Sequence, residues 1–347
     1  MQYLSEKAAS LVPYTPGLQP QEAGWVKLNT NENPYPPSPK VSEAIQGTDL
    51  TKLRLYPDSD GTPLLHALSD RLGIPAENLF VGNGSDEVLA LAFGAFFGGK
   101  QGVLIPDITY AFYPVWAALF DVGVKTRPLG ADFTIDLSTY KNASGVVLAN
   151  PNAPTGIALT CSEIEQIVQQ NPDGVVLVDE AYIDFATCES AVTLVPKYDN
   201  LLVVRTFSKS HSLAGLRVGY AVGSTALIDG LQRMKHSFNS YPLDTLAQLG
   251  AAASIADVRY WDETRQQIIA TRERTAEVLL ELGYLSLPSQ TNFLLVRAPD
   301  AKGLYEHLFA HKILVRYWNK PRLSEYLRVT IGTDKEMEAF LSCVKQF

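Results

Sequence analysis

One lysine stands out for its setting. Lys209 sits between Ser208 and Ser210 in the polar loop that follows the apolar run Leu201-Leu-Val-Val204. Such a run reads as a buried strand, and a lysine at its carboxyl end is placed to meet a ligand. Partial burial lowers an amine's pKa and makes it nucleophilic, able to form a Schiff base. Ser208, Ser210 and Arg217 are the donors an anion wants beside it. A second apolar run, Val175-Val-Leu-Val178, ends in Asp179-Glu-Ala-Tyr182. A carboxylate buried there needs a cation. A protonated ring nitrogen would serve, and Asp179 would keep that nitrogen protonated. Tyr182 can donate to a phenolate oxygen, and Tyr110 can stack on an aromatic ring. In Leu79-Phe-Val-Gly-Asn-Gly-Ser-Asp-Glu-Val88 a short strand enters a glycine turn that feeds a helix. The Gly82–Ser85 turn is therefore a candidate anion cradle, with free N–H groups and the helix dipole aimed at the ligand. It is not a dinucleotide fingerprint, because Glu87 stands where the third glycine belongs. Simple helix capping by Ser85 or Asp86 is the alternative for this stretch. A ring with a pyridinium nitrogen, a phenolate, an aldehyde and a phosphate would satisfy all these groups at once, and pyridoxal 5′-phosphate is such a ring.

These residues must be positioned by strands that end side by side. Strand, turn and helix alternate from about residue 79 to about 235, the signature of a mostly parallel sheet with helices on both faces. Val103-Leu-Ile105 reads as a strand, with a helix opening at Thr109-Tyr110, and Val122 to Pro128 as another strand. Val146-Val-Leu-Ala149 runs into the rigid turn Asn150-Pro-Asn-Ala-Pro-Thr-Gly156. Polar residues gather where strands end, at Gly84, Ser85, Asn152, Asp179, Tyr182, Ser208 and Lys209, which is where such sheets bind ligands. The pattern then changes. Helical periodicity runs from Leu243 to Leu282, followed by strand patterns at Asn292–Arg297, Ile313–Arg316 and Tyr326–Ile331. The fold class expected is α/β: a large domain over 46–245, a small α+β domain over 246–347, and an arm over 1–45, rich in Pro, Asn and Gly, that joins the small domain.

The totals exclude several classes. The chain has 347 residues, 46% of them hydrophobic and 19% charged, and a net charge of −8. That acidity argues against nucleic-acid or anionic-membrane partners, so an anionic ligand must be held by a local cluster of cations and amides. The three cysteines are scattered, as expected of reduced thiols in a cytoplasm. The amino terminus has no signal-peptide pattern, and the apolar run around Val88 to Phe97 is too short to span a bilayer.

The order of motifs resembles the aspartate-aminotransferase-like, fold-type I pyridoxal-phosphate enzymes over nearly the whole chain. More narrowly, Val12-Pro-Tyr-Thr-Pro-Gly17, Leu28-Asn-Thr-Asn-Glu-Asn-Pro34, Arg54-Leu-Tyr-Pro57, Gly82-Asn-Gly-Ser-Asp-Glu87, Asp179-Glu-Ala-Tyr182, Thr206 to Arg217 and Leu327-Arg-Val-Thr-Ile-Gly332 are similar to the histidinol-phosphate aminotransferases. The resemblance implies a seven-stranded-type sheet and a homodimer with sites shared across its interface. It implies a cytoplasmic transaminase of histidine biosynthesis that interconverts histidinol phosphate plus 2-oxoglutarate and imidazole acetol phosphate plus glutamate. Lys209 would hold the cofactor aldehyde, Asp179 would pair with its ring nitrogen, and Tyr182 would bond its ring oxygen. Gly84, Ser85, Thr206, Ser208 and Arg217 would cradle its phosphate, Asp86 would also belong to the cofactor site, Tyr110 would stack, and Tyr56 would reach across from the other subunit. Tyr14, Asn33, Arg316 and Arg328 would bind substrate. An aromatic amino-acid aminotransferase, or a threonine-phosphate-type decarboxylase, would share this fold. One departure stands out: the family usually places asparagine directly before Pro-Thr-Gly, whereas here that position is Ala153, so Asn152 is expected to take over its contact. His66, His236, His307 and His311 lack metal-ligand spacing, and no metal is expected. His211 is expected to pack beside the lysine loop, and Arg297 to form a structural ion pair.

Overall fold

Segments such as Val146-Val-Leu148 and Val176-Leu-Val178 have no polar face to turn to water, and each becomes a central strand covered on both sides. The computed structural model describes residues 3–99 and 102–347. Its large sheet has seven strands: β1 (Leu79–Asn83), β2 (Val103–Pro106), β3 (Val124–Arg127), β4 (Gly145–Ala149), β5 (Val175–Asp179), β6 (Leu201–Thr206) and β7 (Val218–Val222). Their order across the sheet is β1-β7-β6-β5-β4-β2-β3. Only β7 opposes its neighbours; the other adjacent strands pair in parallel. Successive residues feed opposite cores. Val176 and Val178 join one with Leu64, Leu68, Ile164 and Ala251, while Leu177 joins the other with Val88, Phe93, Trp116 and Leu231. A side chain of this size is worth about 1.5–3 kcal/mol when fully buried, so the sheet is held from both faces.

A second, four-stranded antiparallel sheet follows: β8 (Leu285–Ser286), β9 (Phe293–Arg297), β10 (Arg316–Tyr317) and β11 (Tyr326–Thr330), in the order β10-β11-β9-β8. It carries its own core, which includes Leu294, Leu304, Leu327, Val329 and Phe340. The amino-terminal segment is fastened to this part of the molecule. Val26 and Lys27 pair with Ile313 and Leu314, and Leu28 contributes to the small core.

Local boundaries differ from the sequence reading in instructive places. The helix after β2 starts at Tyr113, not at Thr109-Tyr110, with Pro114 in its first turn. The periodicity from Leu243 to Leu282 is two helices, Thr245–Ala256 and Val258–Glu281, divided at Asp257. The strand expected over Ile313–Arg316 is two separate two-residue pairings. The helix Pro39–Gln46 lies against Thr245–Ala256, and Val41, Ala247 and Ala251 sit in the core of the large sheet.

Candidate active site

The carboxyl ends of the parallel strands open on a cleft of about 240 Å³. Lys209 and Asp179 both line it, as do Ser85, Asp86, Tyr110, Tyr182, Thr206, Ser208 and Arg217 from the large-sheet side. Tyr14, Thr30, Asn31, Glu32 and Arg328 line it from the arm and the small sheet. Residues about 300 positions apart in sequence thus share one wall. Asn31 donates its backbone N–H to the Thr330 hydroxyl (3.0 Å), and the Asn292 amide donates to the Asn31 carbonyl (3.1 Å).

Asp179 is the last residue of β5 and only 5% exposed. Its Oδ2 accepts from the Tyr113 hydroxyl (2.8 Å) and its Oδ1 from the Ala181 N–H (3.1 Å). Burial pushes the carboxyl up to about 6, against the opposing pull of those two donors. No lysine or arginine makes an ion pair with it among the described residues. The Lys209 charge acts on it only from beyond ion-pair distance.

Lys209 stands on the loop after β6, and that loop is held from both sides. The Asn33 amide donates to the Lys209 and Ser210 carbonyls (2.9 and 3.3 Å). The Ser210 hydroxyl donates to Asp184, which also pairs with Arg205. Among the described residues, the Lys209 ammonium reaches only the Thr30 carbonyl (3.3 Å), and it lies 5.6 Å from the centre of the Tyr182 ring. The Tyr182 hydroxyl accepts from the Asn31 amide (2.9 Å), which leaves its own hydrogen free to donate into the cleft.

The glycine turn behaves as a cradle. The helix Gly84–Ala92 starts without a side-chain cap, so neither Ser85 nor Asp86 plugs its first N–H groups. Gly84 has φ +76°, and a Cβ there would meet the Arg217 guanidinium at 2.5 Å. Arg217 itself adopts a left-handed backbone conformation, φ +54°, a strained state that a non-glycine residue keeps only when its surroundings demand it. Thr206 and Ser208 bond one another (3.0 Å), and Arg217 approaches Ser208 (3.5 Å). Asp86 is an acceptor, not a donor: it takes bonds from the Tyr110 hydroxyl (3.0 Å) and Arg217 (3.1 Å) and so orients both.

A third cluster carries positive charge. Arg316 and Arg328 stand directly opposite one another on β10 and β11. Like charges in that register repel. The Arg328 Nη2 donates to the Asn29 carbonyl (2.8 Å), but its Nε is buried with no partner among the described residues. Burial, reinforced by Arg316, lowers its pKa, although nearby tyrosines oppose this. An anion in the cleft beside Arg328 would offset the repulsion between the two arginines.

Not every sequence candidate reaches the cleft. Asn152 turns away: its amide donates to the Ile108 carbonyl (3.0 Å) and Thr155 (3.1 Å), its oxygen accepts from Thr109 (2.8 Å), and Ala153 faces the cleft instead. Asn33 works on the lysine loop rather than on the cleft wall. Arg316 lies behind Arg328, against Trp318. Tyr56 is 82% exposed, outside the cleft and stacked on Tyr241 (4.6 Å). His307 and His311 depart from the expected lack of metal-ligand spacing. They are one helical turn apart and, with Cys343, bring ligand atoms within 4.8 Å of one another. Sequence reasoning misses Thr30, Asn31 and Glu32 as individual residues; the dense polar run Asn29-Thr-Asn-Glu-Asn33 is their signal. It misses Tyr113 because a tyrosine in an apolar helix reads as core.

The profile of the family "Aminotransferase class I and II" matches residues 23–344. The chain is 51% identical over 349 residues to the histidinol-phosphate aminotransferase of a Marinomonas species, covering 99% of each chain. It is 48% identical over 346 residues to that of Brachyspira hyodysenteriae, covering 99% of this chain and 98% of the relative. Its fold matches the crystal structure of histidinol-phosphate aminotransferase from Sinorhizobium meliloti in complex with pyridoxal-5′-phosphate, with a TM-score of 0.90 over all of this chain and 97% of that one. The sequences there are 24% identical, so that likeness speaks for the fold.

Proposed function

The chain belongs to the class I and II aminotransferases and, within them, to the histidinol-phosphate aminotransferases, and from that premise we propose how its residues divide the work. It is a pyridoxal-phosphate-dependent transaminase that exchanges an amino group between histidinol phosphate and 2-oxoglutarate, giving imidazole acetol phosphate and glutamate. The donor set fits that cofactor: a buried carboxylate without a cation, an uncapped helix start flanked by hydroxyls and an arginine, and a lysine amine in one cleft.

Pyridoxal phosphate supplies, when bound, an aldehyde for an amine to condense with and a ring that draws electrons from the substrate carbon. Asp179 keeps the ring nitrogen protonated, a duty suited to a carboxylate with both oxygens already oriented. Tyr182 donates its free hydrogen to the ring oxygen, held in place by Asn31. With Ala153 at the cleft wall, the Pro-Thr-Gly turn would offer that oxygen no asparagine. Tyr110, its hydroxyl anchored on Asp86, would cover one ring face. The N–H groups of Gly84 and Ser85, with Thr206, Ser208 and Arg217, would hold the cofactor phosphate. The Lys209 Nζ would hold the cofactor's aldehyde, and as a free amine it would be placed to move a proton at the substrate carbon.

Arg328, backed by Arg316 and joined by Tyr14, receives the substrate anion. The observation that carries this assignment is Arg328 on the cleft wall with the like-charged Arg316 directly across the strand pair. A guanidinium pair suits a phosphate dianion and a carboxylate alike, so one site serves both half-reactions. The test is a substrate panel with 2-oxoglutarate as acceptor, comparing histidinol phosphate, phenylalanine, tyrosine and threonine phosphate. Histidinol phosphate is expected to lead in kcat/KM. In Arg328→Ala it is expected to lose far more than phenylalanine does; equal losses would refute the phosphate site. Carbon dioxide release from threonine phosphate would instead indicate a decarboxylase.

The exposed apolar surface supports a homodimer. Leu50, Leu53, Leu55, Tyr56 and Tyr241 are exposed within or beside one loop region, an apolar area that a second copy would cover. Tyr56 would then be free to reach the partner's cofactor phosphate. The large domain is proposed over 46–245 and the small one over 246–347, with residues 1–45 as the arm, although Val41, Ala247 and Ala251 pack across those bounds into the core of the large sheet. Among the described residues no helix is long and apolar enough to cross a membrane, in keeping with a cytoplasmic enzyme acting on soluble metabolites.

A further inference from the structure

We propose that Tyr113 is a positioning residue for the reaction: its phenol, donated to Asp179, holds the carboxylate so that the shared proton stays on the cofactor's ring nitrogen. The inference rests on Asp179 being the partner of that nitrogen and extends it to a residue with no place in the cleft.

Tyr113 is fully buried, at 0% exposure, in the first turn of the helix Tyr113–Leu119. Rings surround it: Tyr110 edge-on at 5.6 Å, Trp116 at 6.2 Å and Phe93 at 6.3 Å. None of these offers its hydroxyl an acceptor. Among the described residues, the one polar partner of the Tyr113 oxygen is Asp179 Oδ2, at 2.8 Å. Burial, with the Asp179 charge beside it, drives the phenol's pKa well above its ordinary value. The group is therefore a permanent donor that neither yields its proton nor turns toward water.

The consequence is chemical as well as steric. The two oxygens of Asp179 are tied by different donors, Tyr113 on Oδ2 and the Ala181 N–H on Oδ1. The carboxylate plane cannot swing, and the lone pair left for a ring nitrogen keeps one direction. Each donor also draws electron density from the carboxylate and lowers its affinity for a proton. Burial works the other way and makes Asp179 more basic. A carboxylate more basic than the ring nitrogen would take the proton itself, leaving a neutral acid beside a neutral ring, and the ring would lose its pull on electrons. Tyr113 opposes that transfer. The same short segment thus supplies Tyr110 to the ring face and Tyr113 to the carboxylate behind it.

Tyr113→Phe removes one oxygen and keeps the ring that packs the core. The decisive readout is the 15N signal of pyridoxal phosphate labelled at its ring nitrogen, bound to the wild type, to Tyr113→Phe and to Asp179→Asn. The wild-type signal is expected at the protonated position, and both variants are expected to move toward the unprotonated one. Cofactor binding to the apo Tyr113→Phe protein is expected to weaken at least about tenfold, the scale of a lost hydrogen bond to a charged group. Its kcat should fall while KM for histidinol phosphate stays unchanged. A lowered melting temperature with an unmoved nitrogen signal would make Tyr113 a packing residue and overturn the inference. If Asp179→Asn also leaves the signal in place, the assignment of Asp179 itself fails; if only Asp179→Asn moves it, the role of Tyr113 alone fails.

Discussion

Gly219 offers a test of the anion cradle that touches none of its donors. It lies on β7, opposite Gly82 of β1 and Thr206 of β6, where the chain passes directly behind the start of the Gly84–Ala92 helix. A Cβ at this position would lie 2.2 Å from the Ser85 nitrogen and 2.5 Å from the Gly84 carbonyl carbon. Ordinary contact begins at 3.4 Å, so the helix start would have to retreat by more than 1 Å. Both obstructing atoms are backbone, and no flexible side chain can yield in their place. Overpacking of this kind costs about 1–3 kcal/mol. The displaced atoms are the N–H groups proposed to face the cofactor phosphate, and a shift of that size would take a hydrogen bond out of range. Gly219→Ala is therefore expected to weaken cofactor binding by roughly fivefold to a hundredfold, with tenfold corresponding to about 1.4 kcal/mol. Titration of the apo protein with pyridoxal phosphate, followed by absorbance, measures this directly. Gly215 provides the control: it lies between Lys209 and Arg217, has no left-handed φ, and a Cβ added to it would meet nothing within 4 Å. Gly215→Ala should bind the cofactor as the wild type does. Binding by Gly219→Ala within about twofold of wild type would refute the cradle. Equal losses in both variants would refute the geometric reason for it.

Lys209→Ala should abolish both turnover and the visible absorbance of the lysine-bound cofactor. Its unfolding free energy should stay within about 1 kcal/mol of the wild type's, because the ammonium reaches only the Thr30 carbonyl; persistent turnover would remove Lys209 from the chemistry. His211 should make the protein acid-sensitive. Burial pushes its imidazole down to about 4 even with Asp184 nearby, and its Nδ1 bonds the Ser254 hydroxyl (2.9 Å). The unfolded chain takes up that proton near pH 6.5 while the fold does not, so this contribution is present above about pH 6.5 and is lost as pH falls toward about 4. Glu180, which burial shifts the opposite way, offsets part of the effect in the wild type. The difference between His211→Gln and wild type isolates it: the destabilisation caused by the substitution should shrink by about 2 kcal/mol between pH 7 and pH 5. Urea unfolding at the two pH values measures that change, and a constant difference would mean that His211 titrates normally.

The parts of the site legible in the sequence are those where polarity changes abruptly. Asp179 and Lys209 each follow an apolar run, and a buried strand that ends in a charged side chain advertises its ligand-facing tip. What stays hidden depends on direction or on distance. In Asn150–Gly156 the pattern marks a turn but not which residue faces inward, so residue types point to Asn152 while Ala153 occupies the wall. Tyr113 obeys the apolar periodicity of its helix, and nothing local reveals that its oxygen meets a carboxylate 66 positions away. Gly219 looks like any strand glycine until the helix behind it is in place.

The arginine pair belongs to the same class and shows why a stable fold retains a local defect. Neither Leu327-Arg-Val nor Val315-Arg-Tyr reveals that the two guanidiniums stand in one cross-strand register. A pairing of like charges works against the sheet by about 0.2–1 kcal/mol. Leaving Nε of Arg328 buried and unbonded works against it by about 1–3 kcal/mol more. The surrounding aromatic rings, Phe293 and Trp318, each 5.3 Å from the Arg328 guanidinium, hold the charge in place without neutralising it. An anion beside Arg328 offsets the repulsion. A site strained in this way when empty turns the relief into binding, and because charge rather than shape provides the relief, a phosphate and a carboxylate can take turns in it.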